Sequence, residues 1–180
     1  MATIEHCEGI IVRLLPYSET SLITTWITDQ HGIIQVLIRG VRKAKQKNFE
    51  GVDLLNEASL SFSVNSRTYL HTAREIKLLQ GRRSLATDYT RQLTCTYFFE
   101  CISMLVERDT PINELYQLYL TALDYLETHP SSHQLIERFE RRLLEHLGLP
   151  HQTLSIHQAR QQHYPKSPKS WKPLLPLLGR

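Results

Sequence analysis

The spacing of apolar positions changes once along this chain. Up to about residue 80 they fall in short runs that alternate with polar positions, and from Ser84 onward they recur at steps of three and four. The clearest two-residue period is Glu57 to Val64, where Ala58, Leu60, Phe62 and Val64 alternate with polar neighbours. Four more short, β-branched runs predict strands: Glu8 to Leu15, ended by Pro16, then Ser21 to Thr28, Ile33 to Ile38, and Thr68 to Arg74, which runs on into Glu75 to Leu79. Proline cannot donate to a ladder, so Pro16 marks the stop. Asp29-Gln30-His31-Gly32 predicts a hairpin turn and Asn65-Ser66 another. Five short strands with a long connection between the third and fourth predict a small Greek-key barrel of the OB type.

Beyond Gly81 the pattern is helical. Ser84 to Arg108 carries Leu85, Tyr89, Leu93, Tyr97, Phe98, Cys101, Ile102, Leu105 and Val106 on one wide stripe. Thr110-Pro111 opens a second helix, with proline in the first turn where no N–H is needed, and Leu115, Leu118, Tyr119, Ala122, Leu123 and Leu126 carry it to His129-Pro130. Ser131 or Ser132 caps a third, whose apolar face is Leu135, Ile136, Phe139, Leu143, Leu144 and Leu147 and which Gly148 stops. The fold class is therefore α+β, all-β then all-α: an OB-type barrel over residues 1–80, a helical bundle over 81–150, and a proline-rich basic tail over 151–180. Pro165, Pro168, Pro173 and Pro176 keep that tail extended, and its leucines favour docking on the bundle, with Trp171 as the anchor, over a mobile end.

Composition adds limits. In 180 residues, 41% apolar and 22% charged content is ordinary for a folded protein with one good core or two small ones. No apolar run approaches the roughly 20 residues that span a bilayer, and the first residues lack a basic region followed by an apolar one, so the expectation is a cytoplasmic protein without membrane contact. Cys7, Cys95 and Cys101 form no CxxC pair, which argues for reduced, packed thiols and against a thiolate metal site. The net charge of +3 is too mild for the overall field to matter, so an electrostatic partner must be held by local clustering.

One such cluster exists. Arg39, Arg42, Lys43, Lys45 and Lys47 follow the third strand with no acidic residue until Glu50. The run reads equally as a solvated surface and as an anion-binding loop. Tyr17, Trp26, Phe62 and Tyr69 are the aromatic residues that could stack on bases; Trp26 and Phe62 are expected in the barrel core instead, and Tyr17, in a turn, is the better stacking candidate. Glu137, Glu140 and Glu145 interleave with Arg138, Arg141 and Arg142, the pattern of an exposed, salt-bridged helix face. The chain contains no GxxxxGK[ST], GxGxxG after a strand, GxSxG or HExxH, and the spacing of its nine histidines stacks no set on one helical face. No catalytic group, cofactor or metal is expected.

Two segments resemble a known family. GIIVRLLPYSETSLITTWITDQHGIIQVLIRGVRK, from Gly9 to Lys43, is similar to the barrel of the RecO recombination mediators of bacteria, with Val41 where the family usually has a small residue. IERFERRLLEHLGLP, from Ile136 to Pro150, looks like that family's RFE-x-RLLE-x-LGY-x-P helix. The resemblance implies a protein that binds single- and double-stranded DNA and anneals complementary strands. It also implies cooperation with RecR, and sometimes RecF, to place RecA on DNA covered by single-strand-binding protein, in the bacterial cytoplasm and at the nucleoid. Many members carry four cysteines as a zinc knuckle after this helix. This chain has none beyond Cys101, so it is expected to be zinc-free.

The residues themselves support the DNA part, through the basic run and Tyr17. A second reading is an adaptor whose helical half binds partner peptides while the barrel serves as scaffold. The family's binding of the acidic, apolar tail of single-strand-binding protein accommodates it, with Arg138, Arg141 and Arg142 as carboxylate partners. An RNA-binding barrel is a third, because a basic loop does not distinguish RNA from DNA.

Overall fold

In a computed structural model, residues 3–41, 48–65, 67–107, 110–149, 162 and 166–178 are described. Five strands close a barrel: β1 (Ile4–Pro16), β2 (Leu22–Thr28), β3 (Gly32–Ile38), β4 (Glu57–Ser63) and β5 (Leu70–Gln80). Their order around it is β1-β2-β3-β5-β4. β3 and β5 run parallel, and the other neighbours are antiparallel. This is the expected OB-type topology followed by a helical region.

Closure depends on β1. Its first half, from Ile4 opposite Ser63 to Ile10 opposite Glu57, pairs with β4, while Gly9 to Pro16 pairs with β2, across a register shift between Ile11 and Arg13. The strand thus begins at Ile4, four residues before the expected Glu8. The mixed sequence IEHCE has little strand character of its own, and its ladder partner supplies what local preference does not. Pro16 is the last strand residue rather than the first beyond it. At the crossover Gly9 faces both Thr28 and Ala58, and a Cβ there would lie 2.9 Å from the Ile27 carbonyl oxygen. The two runs expected around Arg74 are one strand, β5, which follows β4 through two register shifts.

Cys7, Ile11, Trp26, Ile34, Val36, Ile38, Ala58, Leu60, Phe62, Ala73 and Ile76 fill the barrel. Trp26 and Phe62 are both buried, as expected of aromatic residues in a small barrel. Burying an indole leaves its N–H to be satisfied. Trp26 Nε1 donates to Thr24 Oγ1 at 2.7 Å, and that hydroxyl donates to the Val36 carbonyl at 3.0 Å, so the core's largest side chain is tied to β3. Arg82, just past β5, is fully buried and meets Glu57 at 3.4 Å, an ion pair that no sequence pattern announced.

The chain divides into two compact units, Met1–Arg83 with Arg108–Asn113, and Ser84–Glu107 with Glu114–Arg180. The return of the second segment to the barrel unit is visible at Gly32, in the β2–β3 turn, where φ is +67° and a Cβ would collide with the Thr110 carbonyl. Consequently the helix expected to open at Thr110-Pro111 begins at Asn113 instead.

The helical unit contains α1 (Arg83–Thr87), α2 (Tyr89–Leu105), α3 (Asn113–Thr128), α4 (His133–His146) and a short α5 (Trp171–Leu174) that runs into a 3-10 turn. The single helix expected from Ser84 to Arg108 is broken at Asp88, which is extended and accepts from Arg91 N at 3.0 Å as the cap of α2. Ser132 caps α4 through Leu135 N at 3.2 Å. Phe98 stacks on Phe139 with ring centroids 3.9 Å apart, joining α2 to α4. Glu140, expected on an exposed charged face, is only 2% exposed and accepts a hydrogen bond from Tyr97 of α2. The local charge pattern could not reveal this, because position 140 follows Phe139 onto the packed side of α4. The expected extended tail holds α5. There Trp171 lies 5.3 Å from the Tyr97 ring, Leu174 and Leu178 are buried, and Ser170 donates from both N and Oγ to Glu100.

If close packing at the strand crossover governs closure, Gly9→Ala will destabilise the protein by about 1–3 kcal/mol. Gly81→Ala, whose nearest neighbour atom is 3.8 Å away, will be close to neutral. Urea midpoints of the two variants check the difference.

Candidate nucleic-acid interface

The ladder register sorts the barrel's turns onto its two ends. Pro16 pairs with Leu22 and Leu22 with Ile38, so the β1–β2 turn and the exit of β3 share one end. Thr28 pairs with Gly32 and Ile4 with Ser63, which puts the β2–β3 and β4–β5 turns at the other.

At the first end stand Tyr17 and Arg39. Tyr17 N donates to Ser21 O at 3.0 Å, which fixes the turn, and its ring is 61% exposed. Arg39 is exposed immediately after β3. Arg42, Lys43, Lys45 and Lys47 lie outside the described residues. The described residues on either side of them contact the barrel: Val41 packs against its core, Ile76 N donates to Asn48 O at 2.8 Å, and Glu50 N donates to Ile76 O at 3.0 Å.

At the second end lies a pocket of about 380 Å³, whose lining includes His31, Phe62, Val64, Arg67, Tyr69 and His71. Phe62 contacts both histidine rings, with centroids 5.3 Å from His31 and 5.1 Å from His71. The β4–β5 turn is held by its own polar groups: Asn65 N donates to His71 Nδ1 at 3.2 Å, and Arg67 N to Asn65 Oδ1 at 3.0 Å. Sequence reading singled out Tyr69 as a stacking candidate but not Arg67 or the histidines. They come from two turns far apart in the chain, and no spacing links them.

In the helical unit, Arg138 and Arg142 of α4 border a groove of about 100 Å³ with Tyr125 of α3 and Phe139. One turn of helix separates the two arginines, which places both on the same side. Arg141 is exposed but does not line the groove, so only two of the three expected partner residues come together.

Among the described residues, no three His, Cys, Asp or Glu side chains gather to hold a metal ion. No described helix is long and apolar enough to cross a membrane. All three cysteines are buried and none is in a disulfide, and Cys7 is pushed up to about 12 from an ordinary 9.0, chiefly by desolvation and further by the charges of Asp29 and Glu8. A thiol so held is not a nucleophile near neutral pH.

The chain was also compared with known proteins. The family described as Recombination protein O N terminal matches residues 1–82, and that described as Recombination protein O C terminal matches residues 86–152. A DNA repair protein RecO of Xanthomonas euvesicatoria pv. vesicatoria is 31% identical over 145 residues, which is 81% of this chain and 59% of that protein. One from Xylella fastidiosa is 30% identical over 146 residues, with the same coverage. The chain therefore spans about 59% of the length of these relatives.

The Cys7 shift carries a pH dependence. The unfolded thiol ionises near 9.0 while the folded one keeps its proton to about 12, so this group costs no stability below pH 9 and progressively more as pH rises toward 12. Between pH 8 and about pH 10.5 the melting temperature of the wild type will therefore drop further than that of Cys7→Ala. Parallel melting curves for the two proteins are the measurement.

Proposed function

This chain belongs to the RecO family, and on that premise we propose that it is a non-enzymatic DNA-binding mediator of recombination and repair. It binds single- and double-stranded DNA without sequence preference, anneals complementary strands, and assists loading of RecA on DNA coated by single-strand-binding protein. RecR is its partner, joined in some members of the family by RecF, in the bacterial cytoplasm and at the nucleoid.

The observation that carries this reading is the end of a closed OB-type barrel at which β3 leaves, where the exposed Tyr17 and Arg39 stand and from which the sequence continues into Arg42, Lys43, Lys45 and Lys47. Lys and Arg in such a place contact phosphates and read no bases, so affinity is general and depends steeply on salt. An exposed tyrosine at the same end adds a stacking surface that tolerates any base.

If about four cations of Arg39, Arg42, Lys43, Lys45 and Lys47 neutralise phosphates of a single strand, log K against log salt will have a slope of roughly −3. The double variant Arg42→Ala/Lys43→Ala will bind all sequences more weakly, with a slope shallower by roughly 1.4. Its melting curve will not change, because exposed loop charges contribute little to folding. An unchanged slope and affinity would show that the run is merely solvated. Fluorescence anisotropy across a salt series gives the answer.

The α3–α4 groove favours a further role on the same chain, recognition of an acidic, apolar peptide such as the tail of single-strand-binding protein. It combines an apolar lining with two arginines on one side, the pairing that a carboxylate beside a buried side chain requires. Arg138→Ala and Arg142→Ala will each weaken binding of such a peptide by about 1.5–3 kcal/mol, the range for hydrogen bonds to charged groups, and Arg141→Ala will have little effect. Titration of a labelled peptide against the three variants distinguishes a shared groove from a merely basic helix.

A further inference from the structure

We propose that the pocket between the β2–β3 and β4–β5 turns takes one unstacked nucleobase of a single strand. This rests on the reading of the chain as a DNA binder and adds where a base goes. The pocket occupies the end of the barrel opposite Tyr17 and Arg39, so it is a contact separate from theirs.

Its lining suits a planar heteroaromatic ring. Phe62 and Val64 give apolar walls, the His31 ring stands edge-on to Phe62 at 5.3 Å, and Tyr69 is 64% exposed at the mouth. A phenol ring held out of the core beside a cavity has no packing role, and bases stack on such rings whatever their identity. His31 Nε2 is buried with no hydrogen-bond partner among the described residues. A buried polar atom of this kind is costly, and a small ring rotation would let the edge of an inserted base satisfy it. About 380 Å³ falls at the low end of the roughly 300–1,000 Å³ usual for small-ligand sites.

The same turn argues against a peptide carboxylate. Recognition of a carboxylate calls for several cations or a nest of unused backbone N–H groups. Here Asn65 N, Arg67 N and Leu70 N already donate within the turn, to His71, Asn65 and Thr68 respectively. Among the described residues the exposed Arg67 is the one Lys or Arg lining this pocket, which is enough for the single phosphate that accompanies one base. The turn is therefore already ordered, and little freedom is lost when a base enters.

The test compares a short oligo-dT with a strand of equal length built from abasic residues, so that the phosphates are the same and only the bases differ. Wild type will bind oligo-dT roughly five- to tenfold more tightly, from stacking. Tyr69→Ala will reduce that preference to what stacking at Tyr17 leaves, keep affinity for the abasic strand unchanged, and melt like the wild type. Arg67→Ala will keep the preference and make the salt slope shallower by about 0.7. Equal affinity of the wild type for both strands overturns the pocket proposal while leaving DNA binding intact. A preference that Tyr69→Ala leaves at its wild-type size overturns it too, whether or not Tyr17→Ala removes it. Binding of neither strand overturns both readings.

Discussion

Everything displayed by the barrel depends on a single strand pairing on both sides. β1 is 13 residues long, and Gly9 and Ile10 face β2 and β4 at once. Without that overlap the sheet would keep two open edges, each a row of unpaired N–H and C=O groups. With it the five strands close, and the turns are sorted by register onto two ends. Glycine at the crossover follows from the same constraint, because closure brings the Ile27 carbonyl within 2.9 Å of where a Cβ would stand.

Closure also creates a dry interior whose polar groups must be paired inside it. The Trp26 indole, the Thr24 hydroxyl and the Val36 carbonyl form a short relay that joins β2 to β3. In the helical unit Tyr97 does similar service for Glu140, and its ring also receives Trp171 from the last segment. Polar contacts buried in this way are worth more than surface pairs, since an unmatched partner would lose its hydration with nothing in exchange. They tie α2 to α4 and to α5, which the apolar stripes alone would have left free to slide.

The barrel's two ends differ in chemistry. One carries Tyr17, Arg39 and the start of a cationic run, suited to long-range attraction of phosphates and sensitive to salt. The other has an aromatic pocket with a single arginine, suited to short-range contact with a ring. A strand held by the first through its charges and by the second through a base would be positioned as well as attracted. In the helical unit the α3–α4 groove offers a third kind of surface, apolar with a basic border.

The sequence by itself determined what depends on near neighbours. A two-residue period marked β4 and the burial of Phe62, a serine before an amphipathic stripe marked the start of α4, and a run of like charges marked the cationic segment. Each is a local pattern, visible wherever it occurs. Tertiary structure decided what depends on partners remote in the chain. The segment Ile4 to Glu8 is a strand because β4 lies beside it, the second long helix starts at Asn113 because Thr110 packs at Gly32, and Glu140 is buried because Tyr97 meets it. The pocket belongs to the same class. His31 and the turn from Val64 to His71 are adjacent only after the barrel closes, and no spacing in a linear chain encodes a neighbour that another strand's register brings.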